Sequence, residues 1–279
     1  IEDLCVMATI DLSKLSWMLL GWRPFTWRLA KKPEGISATP ADLGPYPISL
    51  PGTIQRALLE ASVIDDWNIG VQSRACEWVE HRHWDLTATI SKGLLPKGER
   101  VVLNAEALDY SGWILVDCAE VARFEGALAP HRFDLTAWLS DGEQHTLSVV
   151  FEEPPREQGQ FGYTSLSRFF KPRYNYNWDW TPRLVPTGIA GRFEIRTGPS
   201  ATHEIIRLRT TIAKDGRTGR LEATLACEGC AAAECELRVS LRDREHALAS
   251  EAKLAHDGEN ILVLENLDVE PWWPNGSGP

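Results

Sequence analysis

The feature that most constrains this chain is a period-two alternation of apolar residues in short runs. Apolar side chains recur at every second position within residues 84–90, 147–151, 221–225 and 237–241. This is the pattern of β-strands with one buried face. Turn dipeptides such as Asp141-Gly142 and Asp257-Gly258 separate the runs. Short alternating strands without long helices between them predict an all-β protein built from antiparallel sandwiches, not a parallel α/β sheet.

One short helix is predicted just after Pro51-Gly52. Thr53 is positioned to cap its N-terminus, and apolar residues then recur at helical spacing over residues 54–61. Other helix signals are scarce, so this helix is expected to be an insertion in a β fold.

Size and charge limit the partners of the chain. Its 279 residues are enough for about two domains. The net charge of -10 argues against binding to a phosphate backbone, because a basic face is needed to displace counterions. The longest apolar run, residues 15–22, is far shorter than the roughly 20 residues that span a bilayer. We therefore predict neither a nucleic-acid nor a membrane partner.

The 12 tryptophans fit either sugar-stacking surfaces or a sandwich core.

The six cysteines do not form a complete metal motif. Cys227, Cys230 and Cys235 cluster, but a zinc site needs a fourth ligand at short spacing, and the nearest downstream histidine is His246. We predict no metal and assign no role to the cluster.

Unpaired, scattered cysteines and the lack of a secretory pattern in residues 1–15 favour a reducing, cytoplasmic compartment. Whether a leader segment has been removed stays open, since the chain begins with Ile1 and not Met.

A shift in composition near residue 200 predicts a domain boundary. A Thr-Gly-Pro-Ser sequence interrupts the strand pattern at 197–200, and no tryptophan lies between Trp180 and Trp272. We expect one sandwich over residues 1–198 and a smaller one over residues 199–279. The second is expected to be incomplete, because few strand patterns remain before the chain ends.

Residues 169–183 carry the most distinctive chemistry. Aromatic rings occupy positions 174, 176, 178 and 180, and polar side chains, including Asp179, occupy the positions between them. If extended, the segment has one aromatic and one polar face. Sugar recognition uses that pairing, because C–H faces stack on indole while a carboxylate accepts hydroxyl hydrogens. A half-buried strand with a solvated outer face gives the same periodicity, so the alternation alone leaves both interpretations open.

Other chemical signatures are missing from the sequence. It contains no Gly-x-Ser-x-Gly nucleophile motif and no glycine-rich phosphate loop. No spacing of carboxylates singles out a catalytic pair. His81 and His83 lie two apart on a predicted strand and would share one face, either as half of a metal site or as a solvated pair. No cofactor is predicted.

Six blocks of residues, in order along the chain, resemble the N-terminal portion of β-mannosidases of glycoside hydrolase family 2. The most specific block combines Lys171 with Trp178-Asp179-Trp180. The others are residues 50–66, Trp78 with Trp84, residues 107–110, residues 130–136 and residues 271–276.

The resemblance implies a galactose-binding-like jelly-roll sandwich followed by an immunoglobulin-like sandwich. In the family a (β/α)8 barrel comes next and carries two catalytic glutamates, about 5–5.5 Å apart in retaining enzymes. The family's acid/base glutamate follows an asparagine, and this sequence has no Asn-Glu dipeptide. The resemblance therefore implies that the barrel and the catalytic residues lie outside this chain, which alone would be inactive.

The same resemblance implies a role for the Trp-Asp-Trp block. Asp179 would accept hydrogen bonds from hydroxyls of a terminal β-linked sugar, and Trp178 and Trp180 would form the pocket wall or position that carboxylate. The implied activity is that of a retaining exo-β-mannosidase acting at non-reducing ends, with the barrel of the full-length protein as the partner of this region.

Other functions stay open. The chain could belong to a related exo-β-glycosidase of the glucosaminidase or galactosidase type, be a carbohydrate-binding module without hydrolase activity, or be a structural sandwich pair. Thr181 replaces a family glycine, residues 189–192 replace the usual Ile-Trp-Arg, and Asp117-Cys118 replaces Asn-Gly. These departures leave the sugar preference undecided.

Overall fold

The computed structural model describes residues 8–32, 35–36, 39–156, 168–198, 202–230, 236–242 and 247–277. β-strands dominate these residues, which confirms the all-β class predicted from the alternation. The chain divides into two compact units, one within residues 7–197 and the other within residues 198–279. No helix in the described part of the chain is long and apolar enough to cross a membrane.

The first unit contains fifteen of the described strands and four short α-helices. The helices are α1 (Trp27–Ala30), α2 (Ile54–Glu60), α3 (Gln72–Ala75) and α4 (Thr136–Leu139). The strands are β1 (Ala8–Asp11), β2 (Trp17–Trp22), β3 (Lys31–Lys32), β4 (Gly35–Ile36), β5 (Leu43–Ile48), β6 (Gly52–Thr53), β7 (His83–Ile90), β8 (Arg100–Asp109), β9 (Ser111–Val116), β10 (Ala119–Glu125), β11 (His131–Asp134), β12 (His145–Phe151), β13 (Tyr176–Trp178), β14 (Thr181–Arg183) and β15 (Gly188–Gly198).

Two antiparallel sheets enclose the main core of this unit. One has six strands in the order β10-β9-β12-β7-β2-β5, and the other has five, with β1-β15-β8-β11 in order and β6 beside β15. Alternate residues of β7, from Trp84 to Ile90, point into the core, as their spacing predicts. Residues of the facing sheet, such as Leu103 and Ile195, complete the same cluster.

Helix α2 confirms the helix predicted after Pro51-Gly52. The Thr53 side chain accepts a hydrogen bond from the backbone N–H of Arg56 at 3.2 Å, which is an N-cap. The buried face of the helix carries Ile54 and Leu58 into the main core. The local signal was sufficient here because the cap and the apolar spacing agree.

A second apolar cluster covers the other face of the six-stranded sheet, and it explains an incorrect prediction about two histidines. His81 ends a 3₁₀ helix (Glu77–His81) and is exposed, whereas His83 opens β7 and is 1% exposed. The Trp27 indole N–H donates to His83 Nδ1 at 3.0 Å, and burial lowers the pKa of His83 to about 4. The two histidines therefore share neither a strand nor a face. The cluster consists of Trp22, Trp27, Ala30, Trp113, Leu115 and Val150.

The second unit has two small antiparallel sheets around its own core. A three-stranded sheet has the order β16-β17-β20, and β18 pairs with β19. Cys227 and Cys230 are buried in its apolar cluster, while Cys235 lies outside the described residues. Among the described side chains, no group of three or more is arranged to hold a metal ion. The strands are β16 (Thr202–Ile212), β17 (Thr218–Glu228), β18 (Glu236–Arg242), β19 (Ala247–Leu254) and β20 (Gly258–Asp268).

The loop between β9 and β10 places two non-glycine residues in the left-handed region. Asp117 has φ 48° and Cys118 has φ 70°. Positive φ at both central residues defines the type I′ hairpin turn, which favours Asn-Gly because a Cβ is disfavoured there. Asp117 is partly compensated, since its carboxylate accepts a hydrogen bond from the Thr146 N–H at 2.8 Å. The backbone of Cys118 is left strained.

Replacing Cys118 by glycine should therefore stabilise the protein. We expect Cys118→Gly to raise the free energy of unfolding by about 1 kcal/mol, the usual left-handed penalty less the entropy that glycine adds to the unfolded chain. Urea denaturation measures this change. Cys118→Ala removes the thiol but keeps the Cβ and should give no gain; equal gains in the two variants would exclude backbone strain as the cause.

His145, at the start of β12, lies between two carboxylates. Its Nδ1 is 2.6 Å from Asp117 Oδ2, and its Nε2 is 2.8 Å from Asp141 Oδ1. Burial by itself lowers the pKa of His145, but the hydrogen bonds to both aspartates outweigh it and raise the pKa above the usual value of 6.5. The protonated ring, which donates from both nitrogens, is thus the stabilised form.

This arrangement predicts a loss of stability at rising pH. Because the pKa of His145 is higher in the folded state, its contribution is present below the unfolded value of about 6.5 and disappears as the pH rises through the folded value. The difference in unfolding free energy between the wild type and His145→Gln should be larger at pH 6 than at pH 8.5. The exposed His81, changed to Gln, is the control; a pH-independent difference for His145→Gln would contradict the assignment.

Candidate functional site

The Trp-Asp-Trp block lies at the tip of a short β-hairpin. A 3₁₀ turn (Arg173–Asn175) leads into β13, and β13 pairs with β14 so that Trp178 lies opposite Thr181. Asp179 and Trp180 form the connection. The segment is therefore not extended throughout. The single aromatic face that its alternating residues would form in an extended strand is interrupted where the chain reverses.

The hairpin brings together the three side chains that the sequence singles out. The ring centroids of Trp178 and Trp180 are 5.7 Å apart, with the planes inclined at 57°. Trp180 is 73% exposed, Trp178 is half-buried, and Asp179 is exposed between them. Within the described residues, the Asp179 carboxylate makes no hydrogen bond or ion pair. All four lone-pair positions of its oxygens are available to a ligand.

A buried ion pair fixes the base of this hairpin. Lys171 Nζ lies 2.5 Å from Asp109 Oδ1 and donates to the backbone carbonyl of Pro186 at 2.7 Å. The Lys171 side chain is fully buried. Burial lowers the pKa of Lys171 and raises that of Asp109, and their mutual attraction opposes both shifts. The ammonium thus joins the end of β8 to both ends of the hairpin segment.

Helix α2 makes a second connection to the same segment. The buried Gln55 side chain donates to the carbonyl of Val185 at 2.6 Å and accepts from the N–H of Thr187 at 3.3 Å. The N–H of Ile54 donates to the Thr187 carbonyl at 2.8 Å. These bonds give the returning strand a fixed position relative to the sandwich.

A third connection runs through Arg183 on β14. Its guanidinium donates to the Glu80 carboxylate and lies 5.1 Å from the centroid of the Tyr176 ring. Tyr176 is buried, and burial raises its pKa, so the phenol is neutral at physiological pH. The cation–π contact and the ion pair orient β14 against the body of the unit.

Sequence patterns identified the tip but not all of its supports. Lys171, Asp109 and Gln55 fall in blocks of the family resemblance, yet nothing in the local pattern pairs them. Glu80 lies outside those blocks. Nothing in the sequence signals that Glu80 is buried, so its need for a cationic partner became evident only in the structure.

The chemistry of the hairpin fits binding of a sugar, and its segment carries a single acidic residue. Asp179 is the only acidic residue in the segment from Lys171 to Thr187. Hydrolysis of a glycosidic bond needs two carboxyl groups with different roles. One exposed carboxylate between two indoles can accept hydroxyl hydrogens and offer stacking surfaces. Its part in substrate binding stays a prediction.

Comparison with known proteins gives a consistent family. Residues 27–191 match the family model described as "Glycosyl hydrolase 2 galactose-binding domain-like". The chain is 24% identical over 250 residues to a protein named beta-mannosidase B from Aspergillus clavatus, a match that covers 84% of this chain and 29% of that protein. The chain thus spans less than a third of the length of this curated relative.

Solved structures share the fold at low sequence identity. A beta-D-mannosidase from Dictyoglomus thermophilum superposes with a TM-score of 0.71 at 17% identity, over 98% of this chain and 33% of that one. An exo-chitosanase from Amycolatopsis orientalis, in complex with PNP-beta-D-glucosamine, gives 0.64 at 15% identity, over 97% and 30% of the two chains. These likenesses support the galactose-binding-like all-β fold.

The buried ion pair should make a large contribution to stability. Replacing Lys171 by Met leaves the half-buried Asp109 carboxylate without its cation, so we expect a loss of up to about 3–5 kcal/mol in unfolding free energy. Denaturant unfolding measures it. The exposed pair of Lys92 with Glu143 provides a control, since Lys92→Met should cost at most about 1 kcal/mol.

A double variant separates the loss of a charge partner from the loss of packing. Lys171→Met with Asp109→Leu removes both charges and should recover part of the stability lost in Lys171→Met. If Lys171→Met alone is no more harmful than Lys92→Met, the ion pair does not anchor the hairpin.

Proposed function

Since the chain belongs to the glycosyl hydrolase 2 galactose-binding domain-like family, we propose that it is the N-terminal, non-catalytic part of a retaining exo-β-mannosidase. Its proposed substrate is a terminal β-mannose at the non-reducing end of a glycan or oligosaccharide. In this proposal a (β/α)8 barrel elsewhere in the full-length protein supplies the two catalytic glutamates. The observation that carries the proposal is that Asp179, at the tip of an anchored hairpin, is exposed and has no hydrogen-bond or ion-pair partner among the described residues.

The similarity to named β-mannosidases supports the choice of sugar. The match to beta-mannosidase B runs through most of this chain and therefore includes more than the family model alone. Retaining glycosidases hold the scissile glycosidic bond between two carboxyl groups, and other side chains fix the sugar ring. Asp179 would be one of these, holding hydroxyls of the terminal sugar through charge-assisted hydrogen bonds.

The anchoring of the hairpin suits this role. A carboxylate that must grip a sugar at a distance from the reacting bond contributes most when it is held rigidly, because misplacement weakens the contact in the transition state. The Lys171–Asp109 pair and the Gln55 hydrogen bonds fix the base of the hairpin to the sandwich. Trp180, which is 73% exposed, leaves an apolar surface for a ligand or for a covering domain.

Two other functions remain as candidates. A related exo-β-glycosidase is favoured by the fold shared with the exo-chitosanase bound to PNP-beta-D-glucosamine. Thr181, which follows the second tryptophan, is the departure nearest to the proposed subsite. A free-standing carbohydrate-binding module is favoured by the fact that both Asp179 and Trp180 are open to solvent in this chain.

Substitution of Asp179 tests the proposal in the full-length protein. Asp179→Asn should lower kcat/KM for a β-mannoside by about 10- to 100-fold, which corresponds to the roughly 1–3 kcal/mol of a charged hydrogen bond. Steady-state kinetics with an aryl β-mannoside measures it. Asp268→Asn removes an exposed carboxylate of β20 and is the control. Unchanged turnover in Asp179→Asn would instead favour a structural role.

Calorimetry on the 279-residue chain distinguishes the enzyme part from a binding module. If Asp179 acts together with a barrel, the chain by itself should bind mannose weakly or not at all. Tight binding that is lost in Asp179→Asn would favour the module, because that function requires a complete site around Asp179 within the chain.

A further inference from the structure

A cleft of about 520 Å³ opens in the first unit, outside the hairpin. Two residues that line it are sequence neighbours of the buried ion pair, since Tyr110 follows Asp109 and Phe170 precedes Lys171. The size lies within the range of about 300–1,000 Å³ that is typical of small-molecule sites. Its lining includes Tyr110, Glu125, Gly126, Leu128, Arg168 and Phe170.

The carboxylate in this cleft is held in place by neighbouring groups. The Tyr110 hydroxyl donates to Glu125 Oε1 at 3.2 Å, and the backbone N–H of Phe170 donates to the Tyr110 hydroxyl oxygen. Burial, together with the nearby Glu125, raises the pKa of Tyr110 to about 12, so the phenol remains a donor at neutral pH. Glu125 is thereby oriented, while its second oxygen is open to a ligand.

The remaining walls add apolar surface and a cation. Phe170 is 79% exposed and Leu128 is 73% exposed. Single exposed apolar residues are ordinary, but here two of them border one cleft together with charged groups. Arg168 is exposed and has no hydrogen-bond or ion-pair partner in the described part of the chain. Its five N–H groups are available as donors.

These groups discriminate between classes of ligand. An anion would meet Glu125, a cation would meet Arg168, and a purely apolar molecule would desolvate both charges without compensation. A neutral pyranose satisfies all of them. Its hydroxyls donate to Glu125 and accept from Arg168, and its C–H face covers Phe170.

We infer that this cleft is a second saccharide-binding site, which takes a neutral pyranose unit of a glycan and is separate from the Asp179 hairpin. None of its lining residues belongs to the segment from Lys171 to Thr187. It would hold a part of the glycan other than the sugar gripped by Asp179. The inference does not depend on the proposed hydrolase activity.

Nuclear magnetic resonance of the 279-residue chain tests this site directly. The probe is a β-1,4-linked mannotriose, titrated while the amide signals of Gly126 and Leu128 are followed. We expect both signals to shift, and the apparent affinity to fall about tenfold or more in Glu125→Gln and in Phe170→Ala. Trp138→Ala, which removes an exposed aromatic ring outside the cleft, is the matched control and should leave the titration unchanged.

The outcomes separate this site from the proposed function. Shifts at Gly126 and Leu128 that persist in Asp179→Asn support a second site, whatever the kinetic effect of that variant in the full-length protein. Loss of these shifts in Asp179→Asn would reduce the two sites to one and overturn the inference. Absence of shifts in the wild type, or shifts with free leucine but not with the trisaccharide, would also overturn it. Glu125→Gln, nearly isosteric, provides the decisive comparison if Phe170→Ala fails to fold.

Discussion

Much of the first unit's functional geometry depends on one buried ammonium group. Lys171 is enclosed by the protein, and a buried cation is tolerated only with a carboxylate and further acceptors around it. Asp109 and the Pro186 carbonyl fulfil that requirement, and they lie 62 and 15 residues from Lys171 along the chain. The chain between Lys171 and Pro186 must consequently leave the sandwich and return to the same point. The hairpin is this segment, and its tip is exposed because both of its ends are fixed at the sandwich.

The sequence predicted those elements in which local signals agree with burial. β7 and β12 alternate because each has a face in the main core, and α2 combines a cap at Thr53 with helical spacing. The reversal at Asp179-Trp180 escaped prediction because aromatic and polar residues alternate through it and no glycine marks the turn. His81 and His83 were misplaced for a similar reason, since the 3₁₀ helix that ends at His81 contains neither proline nor glycine.

The contacts that position the candidate site are long-range, which is why local patterns missed them. Gln55 and Val185 are 130 residues apart, and Glu80 and Arg183 are 103 apart. Each member looks ordinary in its own surroundings, and the pairing exists only in the folded chain. The residues at the tip could be found because they are chemically unusual. Their supports could be found only through coordinates.

In the hairpin, the residues that stabilise the fold differ from the residues that are exposed at the tip. Its anchors are buried and cooperative, whereas the side chains at its tip contact solvent and contribute little to folding. Substitutions at positions 178–181 should therefore have little effect on stability, whereas changes at Lys171 or Gln55 remove buried contacts of the fold. A scaffold of this kind lets the residues at the tip change while the architecture stays the same.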